Sequence, residues 1–313
     1  MIGSDACAPQ RGRAAGNNDM IPLRLLVFGR TGQVAVELAR LAGPGLAVRT
    51  LPRTEADLAD PAACAAAVAA SDADVVINAA AWTAVDRAEA EEDAARVVNA
   101  EAPGAIARTC AARGLPFLHL STDYVFDGSG SGARDENAPV APLNAYGRTK
   151  LASERAVVAA GGPHAVLRTS WVFAGHGTNF VRTMLRAGAT RPQLSVVADQ
   201  IGGPTPAAAI AAALVDIARA FHAGHGVSGV YHFAGAPNAS WRDFAEAIFA
   251  ESGWLPVRPA VAEISGADWP TPAARPCNSR LDCRRIARDY GIARPDWRAA
   301  LGPVLAEIRE TGS

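Results

Sequence analysis

Short runs dominated by apolar and β-branched residues alternate along this chain with longer Ala-rich stretches. The runs lie at residues 23–28, 46–50, 75–78, 117–121, 165–169 and 194–197, with a seventh at 230–233. Strands buried on both faces read as continuous apolar runs, whereas a strand with one wet face alternates. Between the runs, residues 34–41, 61–70, 94–113 and 145–160 carry helical patterns. Strand and helix in repetition predict an α/β fold: a Rossmann-like, doubly wound parallel sheet covered on both faces. Ligands in such a sheet bind beyond the carboxyl ends of the strands. The rhythm fades in the C-terminal third, where prolines cluster between Pro256 and Pro276. Two units are therefore expected, one mainly over 20–200 and a smaller lobe mainly over 201–313, interleaved with the main sheet.

Composition narrows the class. The 313 residues are 50% hydrophobic and 19% charged, with a net charge of -1, enough for a large buried core. Near-neutral charge gives no bulk attraction for nucleic acid or an anionic membrane. The longest apolar stretch, near 206–215, is too short to span a bilayer. Five scattered cysteines (Cys7, Cys64, Cys110, Cys277, Cys283) form no CxxC pair and no metal spacing, and read as reduced thiols of a cytoplasmic protein. Residues 1–19 are rich in Gly, Ala, Asn and charge. No apolar run follows Arg11 and Arg13, so this segment reads as a disordered extension rather than a secretory signal. The folded part is expected to begin near Met20.

Candidate chemistry starts at the end of the first run. Gly29-Arg30-Thr31-Gly32 follows a strand and opens a helix, with Ala35 where a third small residue keeps helix and strand close. Gly29, Thr31 and Gly32 there suit a dinucleotide pyrophosphate seated on unpaired helix N–H groups, although a Gly pair also occurs in ordinary βα turns. Arg53, just beyond the second strand, suits a ribose 2′-phosphate or is a solvated surface residue, so NADPH is favoured over NADH. The third strand ends in Asn78-Ala79-Ala80-Ala81, small residues that leave room for a flat adenine or ribose.

The fourth strand ends at Ser121-Thr122-Asp123, and Tyr146-Gly147-Arg148-Thr149-Lys150 follows. Tyr and Lys four residues apart share one helix face. The spacing alone is common; after a strand-end Ser-Thr and a Gly-rich turn it describes a carbonyl reductase site. Tyr146 is the expected general acid and Thr122 the hydroxyl partner at the substrate oxygen. Lys150 is expected to lower the phenol pKa and to reach the nicotinamide ribose. Asn144 is placed to cap the helix, after Pro142.

Taken together, these residues resemble the extended short-chain dehydrogenase/reductases. The segments at 29–34, 80–86, 121–126, 168–173, 199–205 and 275–281 resemble, more sharply, the dTDP-4-dehydrorhamnose reductase family over nearly the whole folded chain. The resemblance implies NADPH- or NADH-dependent reduction of the C4 ketone of dTDP-4-dehydro-β-L-rhamnose to dTDP-L-rhamnose, in a protein that is monomer or homodimer. By matching position it implies Tyr146 as proton donor, Thr122 as its partner and Lys150 on the cofactor. It sets Gly32, Gln33 and Val34 at the pyrophosphate, Asp57 and Leu58 by the adenine, and Ala81, Trp82 and Thr83 along the ribose. Thr122, Asp123 and Trp171 would meet the sugar nucleotide, with Arg275 and Arg280 as candidates for its diphosphate.

Some members of that family hold Mg²⁺ between three glutamates at a dimer contact. Glu37 and Glu307 match two of the positions, but the third is Ala208, so no metal ligand set is assigned. Rival readings are a sugar-nucleotide epimerase or 4,6-dehydratase, and a non-catalytic subunit like the regulatory subunit of methionine adenosyltransferase. Dehydratases of this group carry Thr-Asp-Glu at the fourth strand end; here Tyr124 follows Asp123.

Overall fold

The computed structural model describes residues 22–311; the predicted extension at 1–19 lies outside them, as does Cys7. Five strands of the main sheet are β1 (Leu23–Phe28), β2 (Leu46–Leu51), β3 (Val75–Asn78), β4 (Phe117–Thr122) and β5 (His164–Thr169). The sixth, Gly229–His232, pairs with the outer edge of β5. Every pairing is parallel, and the order runs from that last strand through β5, β4, β3 and β1 to β2. The chain leaves β1 for β2 on one side and returns to β3 on the other. The crevice between the ends of β1 and β3 is thus the topological switch point, where such sheets bind ligands.

Side-chain alternation explains why both faces must be covered. Leu25 and Val27 of β1 face one core with Val34, Ala35 and Leu38 of helix α1 (Gln33–Arg40) and Ile210, Leu214 and Ile217 of helix Ala207–His222. Leu26 and Phe28 face a second core with Cys64 and Val68 of α2 (Pro61–Ala69) and Ile106 and Cys110 of α5 (Ala102–Ala112). Cys64, Cys110 and Cys283 are buried thiols, and Cys277 is an exposed one. Between β3 and α5 stand two short helices, α3 (Val85–Ala90) and α4 (Glu92–Arg96), and a π-turn, Val97–Glu101. The predicted continuous helix over 94–113 is therefore interrupted. No helix of the described residues is long and apolar enough to cross a membrane.

A third core belongs to the smaller lobe. Phe173, Leu194, Val196, Phe244, Ile248, Trp297 and Leu301 pack there, drawn from segments far apart in sequence. One expectation needs correcting. The run at 194–197 does form a strand, Gln193–Val197, but it pairs in parallel with Ala260–Ile264 and not with the main sheet. Its apolar face is buried in the lobe core instead. Helix Ala207–His222 and strand Gly229–His232, both beyond residue 200, belong to the main sheet and its cover.

Candidate active site

At the switch point, Gly29 takes φ +104°, a left-handed conformation that favours glycine, and its α-carbon faces Ala80. The next turn opens α1 with Gly32 at its N-cap and no side chain capping it. Its first amide groups are thus left for a ligand. Thr31 and Gly32 are exposed, Gln33 is half-buried and Val34 points into the core. The Gln33 side chain accepts from Asn179 Nδ2 at 3.0 Å, so what it offers a pyrophosphate is its backbone. Across the crevice Ala79, Ala80 and Ala81 are half-buried and Thr83 is exposed. This uncapped helix start beside small residues fits a dinucleotide.

The second-strand candidates are arranged differently from expectation. Arg53 is exposed, but its Nε donates to Asp57 Oδ2 at 2.8 Å. A phosphate at Arg53 must compete with that carboxylate. Asp57, whose pKa is lowered by the Ala59 amide and then Arg53, also ends this short pairing. Leu58 is buried beneath it.

Helix α6 (Ala145–Ala159) delivers the Tyr and Lys. Asn144 caps it as predicted: its Oδ1 accepts from Gly147 N at 2.8 Å, while its Nδ2 donates to Ala274 O at 2.8 Å in the lobe. Gly147 is required by close approach. A Cβ there would stand 2.2 Å from Tyr124 O, so only glycine lets the helix start rest on the turn after β4. That contact brings Tyr146 to Thr122, the last residue of β4, and edge-on to Tyr124 at 5.7 Å between ring centres. Tyr146 and Trp82 together pack on Ala88, Ala95 and Ala145.

Electrostatics in this corner are set by burial. Desolvation pushes the Tyr146 phenol up to about 12, with the Thr122 hydroxyl pulling it back. The expectation that Lys150 lowers the phenol is not met in this arrangement. Burial brings Lys150 itself down to about 8, and its Nζ donates to Leu120 O at 2.6 Å. The amine faces β4 rather than the phenol. Burial also raises Asp123 to about 6, against the nearby Ser279 and Thr122 hydroxyls. Its Oδ1 accepts from Thr122 Oγ1 at 3.1 Å, and its Oδ2 is buried with no hydrogen-bond partner.

Two residues here escaped the sequence reading. Asn99, in the π-turn, accepts from Trp82 N at 2.8 Å and donates to Trp82 O at 3.1 Å and Thr149 Oγ1 at 3.1 Å. It clamps the segment after β3 to α6. π-turns recur at functional sites, but nothing in an Ala-rich helical stretch announces one. The other is Ser279, buried beside Asp123, one residue from the Arg280 that the family resemblance suggested.

On the lobe side, Trp171 is the one non-glycine among the described residues with positive φ, at +50°. Strain of this kind persists where the surroundings impose it, often at ligand clamps. Its indole stacks on Trp241 with ring centres 3.5 Å apart, so one face is already covered. Arg275 is not free: Nη2 donates to Asp86 Oδ2 at 2.8 Å, while Nη1 is buried without a partner. Arg280 is half-buried, its Nη1 donates to the Asn278 amide oxygen at 3.1 Å, and among the described residues no carboxylate pairs with it.

The three-glutamate Mg²⁺ arrangement does not fit these residues. Arg40 lies between the two carboxylates, donating to Glu37 at 2.9 Å and Glu307 at 2.5 Å, and His176 Nε2 is 2.7 Å from Glu37. Ala208 is exposed and offers no ligand. Among the described residues no group of three or more His, Cys, Asp or Glu is arranged to hold a metal.

Comparison with known proteins agrees with this geometry. The family model described as RmlD substrate binding domain matches residues 23–310. The dTDP-4-dehydrorhamnose reductase of Burkholderia thailandensis is 45% identical over 297 residues, covering 91% of this chain and 99% of its own. That of Sinorhizobium fredii is 42% identical over 278 residues, covering 88% and 94%. A solved structure of dTDP-4-dehydrorhamnose reductase from Bacillus anthracis, in complex with NADP, matches with a TM-score of 0.84 at 30% identity, covering 92% of this chain and all of its own.

Proposed function

Because the chain belongs to the dTDP-4-dehydrorhamnose reductase family and is thereby an NAD(P)-dependent oxidoreductase, we propose that it reduces the C4 ketone of dTDP-4-dehydro-β-L-rhamnose at the Thr122–Tyr146–Lys150 corner. The observation that carries the reading is that corner itself. Tyr146 of α6 meets Thr122 at the end of β4, Lys150 is buried against β4 one turn along the same helix, and the first βα turn opens α1 with an uncapped helix start. NADPH or NADH, when bound, supplies the hydride.

What the protein contributes is position and a proton. A phenol near 12 stays protonated at neutral pH, as a reductive acid must. An alkoxide is a much stronger base than a phenolate, so Tyr146 Oη gives up its proton as negative charge develops on the sugar O4. The Thr122 hydroxyl orients that oxygen, and Lys150 serves the nicotinamide ribose. Gly29, Thr31, Gly32, Gln33 and Val34 cradle the pyrophosphate through backbone amides. Asp57 and Leu58 border the adenine, Arg53 meets a 2′-phosphate, and Ala79 to Thr83 line the ribose side. Asp123 Oδ2 accepts a sugar hydroxyl, the open edge of Trp171 borders the sugar, and Arg280, with Arg275 behind it, faces the diphosphate. Residues 20–200 thus serve mainly the cofactor and 201–313 mainly the sugar nucleotide. The protein works in the cytoplasm as monomer or homodimer.

A Tyr146→Phe variant tests the assignment. It keeps the packing and cofactor binding but loses turnover by about 10²–10⁴-fold in the NADPH-absorbance assay with the keto-sugar nucleotide. Near-normal turnover would remove Tyr146 from the chemistry.

A further inference from the structure

His119 stands in the middle of β4, fully buried, a lone ionisable ring in an apolar strand. Its two ring nitrogens meet different partners, and the hydrogen bonds around them settle which one carries the proton. On one side, Asn78 Oδ1 accepts from the Ala80 backbone N–H at 3.1 Å. A backbone amide can only donate, so the other end of the side chain, Nδ2, is the one that faces His119. Asn78 Nδ2 donates to His119 Nδ1 at 3.3 Å, and that nitrogen must therefore be bare. On the other side, Ser153 Oγ has a single proton, and it goes to Lys150 O at 2.5 Å. Toward His119 Nε2, at 2.9 Å, Ser153 can only accept. The two ends of the ring give the same answer by independent routes: a neutral imidazole with its proton on Nε2.

The same Nε2 lies 3.2 Å from Lys150 Nζ. An N–H end directed at this corner presents positive charge to the amine, not a lone pair. The other groups around Lys150 are Leu120 O of β4, which accepts from it, and Glu154, one turn along α6. The Glu154 carboxylate is already held by Arg168 of β5, at 2.9 and 2.7 Å, and by Ser121 Oγ at 2.5 Å. Its attraction for the lysine is correspondingly weakened.

We propose that His119 is a positioning residue for Lys150: a permanently neutral imidazole, locked as the Nε2–H tautomer by Asn78 and Ser153, that holds the amine toward Leu120 O and disfavours its ammonium form. The chain of bonds starts at Ala80, in the segment that borders the cofactor crevice, so the end of β3 and the lysine are set by one device. The proposal rests on the reading of Lys150 as the cofactor-side amine, but the NMR titrations that decide it do not depend on turnover.

The experiment is NMR on the intact protein with ¹⁵N-labelled histidine and ¹³C-labelled lysine. His119 is expected to show the neutral Nε2–H pattern with no titration between about pH 5.5 and 8.5. In His119→Gln the amide oxygen is free to turn toward Lys150 and accept from it. The Lys150 Cε titration is then expected to move up by about one pH unit, a tenfold gain in proton affinity. The pH profile of kcat is expected to move with it. An Nδ1–H tautomer, an imidazolium in that range, or an unmoved Lys150 titration in the variant overturns the proposal. Should His119→Gln fail to fold, the wild-type tautomer spectrum decides alone. A failed role for Lys150 is seen separately, as Lys150→Met with normal activity.

Discussion

Gly147→Ala separates local helix preference from the geometry of the site. In an exposed helix interior the change gains about 1 kcal/mol, because alanine loses less backbone freedom on folding. Here the added Cβ meets Tyr124 O at 2.2 Å, Pro142 Cβ at 2.9 Å and Tyr124 C at 3.1 Å. An ordinary carbon–oxygen contact is about 3.3 Å, so the helix start or the Thr122–Tyr124 turn must retreat by about 1 Å. Neither can yield freely. The Asn144 cap ties the helix start to Ala274, and Thr122 belongs to the central sheet. Overpacking of this kind costs about 1–3 kcal/mol, which outweighs the helix gain. The same retreat separates Tyr146 from Thr122, and a misplacement of about 1 Å costs about 10²-fold in rate. Denaturant midpoints with steady-state turnover measure both effects. A variant more stable than wild type with undiminished kcat would show that this contact does not set the site.

Arg53→Ala is expected to weaken NADPH more than NADH, by less than a free arginine would give, because Asp57 already holds the guanidinium; equal KM changes for both cofactors would leave Arg53 a surface residue. Chelation is expected to change neither turnover nor sedimentation, since Arg40 already pairs with both Glu37 and Glu307. A dimer dissociated by chelator and restored by Mg²⁺ would contradict this.

Much of the fold was legible because the inner strands of the main sheet are dry on both faces. Leu25 and Leu26 point into different cores, so β1 had to read as an unbroken apolar run. The run at 194–197 carried no mark of which sheet it joins. Strand Gln193–Val197 buries only Leu194 and Val196 in the lobe core, and its partner Ala260–Ile264 lies inside the proline-rich stretch with no periodic mark. The placement of Tyr146 and Lys150 on one helix, of Thr122 at a strand end and of the Asn144 cap was readable from spacing, since a helix face and a strand end are local objects. What spacing does not carry is orientation. Lys150 turns to Leu120 O because its burial is relieved there, and Arg53 turns to Asp57 four residues on. Asn99 and Ser279 act across the fold, on Trp82 and Asp123, through contacts no local pattern encodes.

The central claim is hydride delivery to the sugar C4 with Tyr146 as the proton source. It is tested most directly with NADPH carrying deuterium at the transferable position and dTDP-4-dehydro-β-L-rhamnose, the product being read by NMR and mass spectrometry. The account predicts dTDP-L-rhamnose with one deuterium, at C4, from the wild-type protein, and cofactor binding without product from Tyr146→Phe. Oxidised cofactor with no deuterium at C4, or no reaction with this sugar nucleotide, would contradict it.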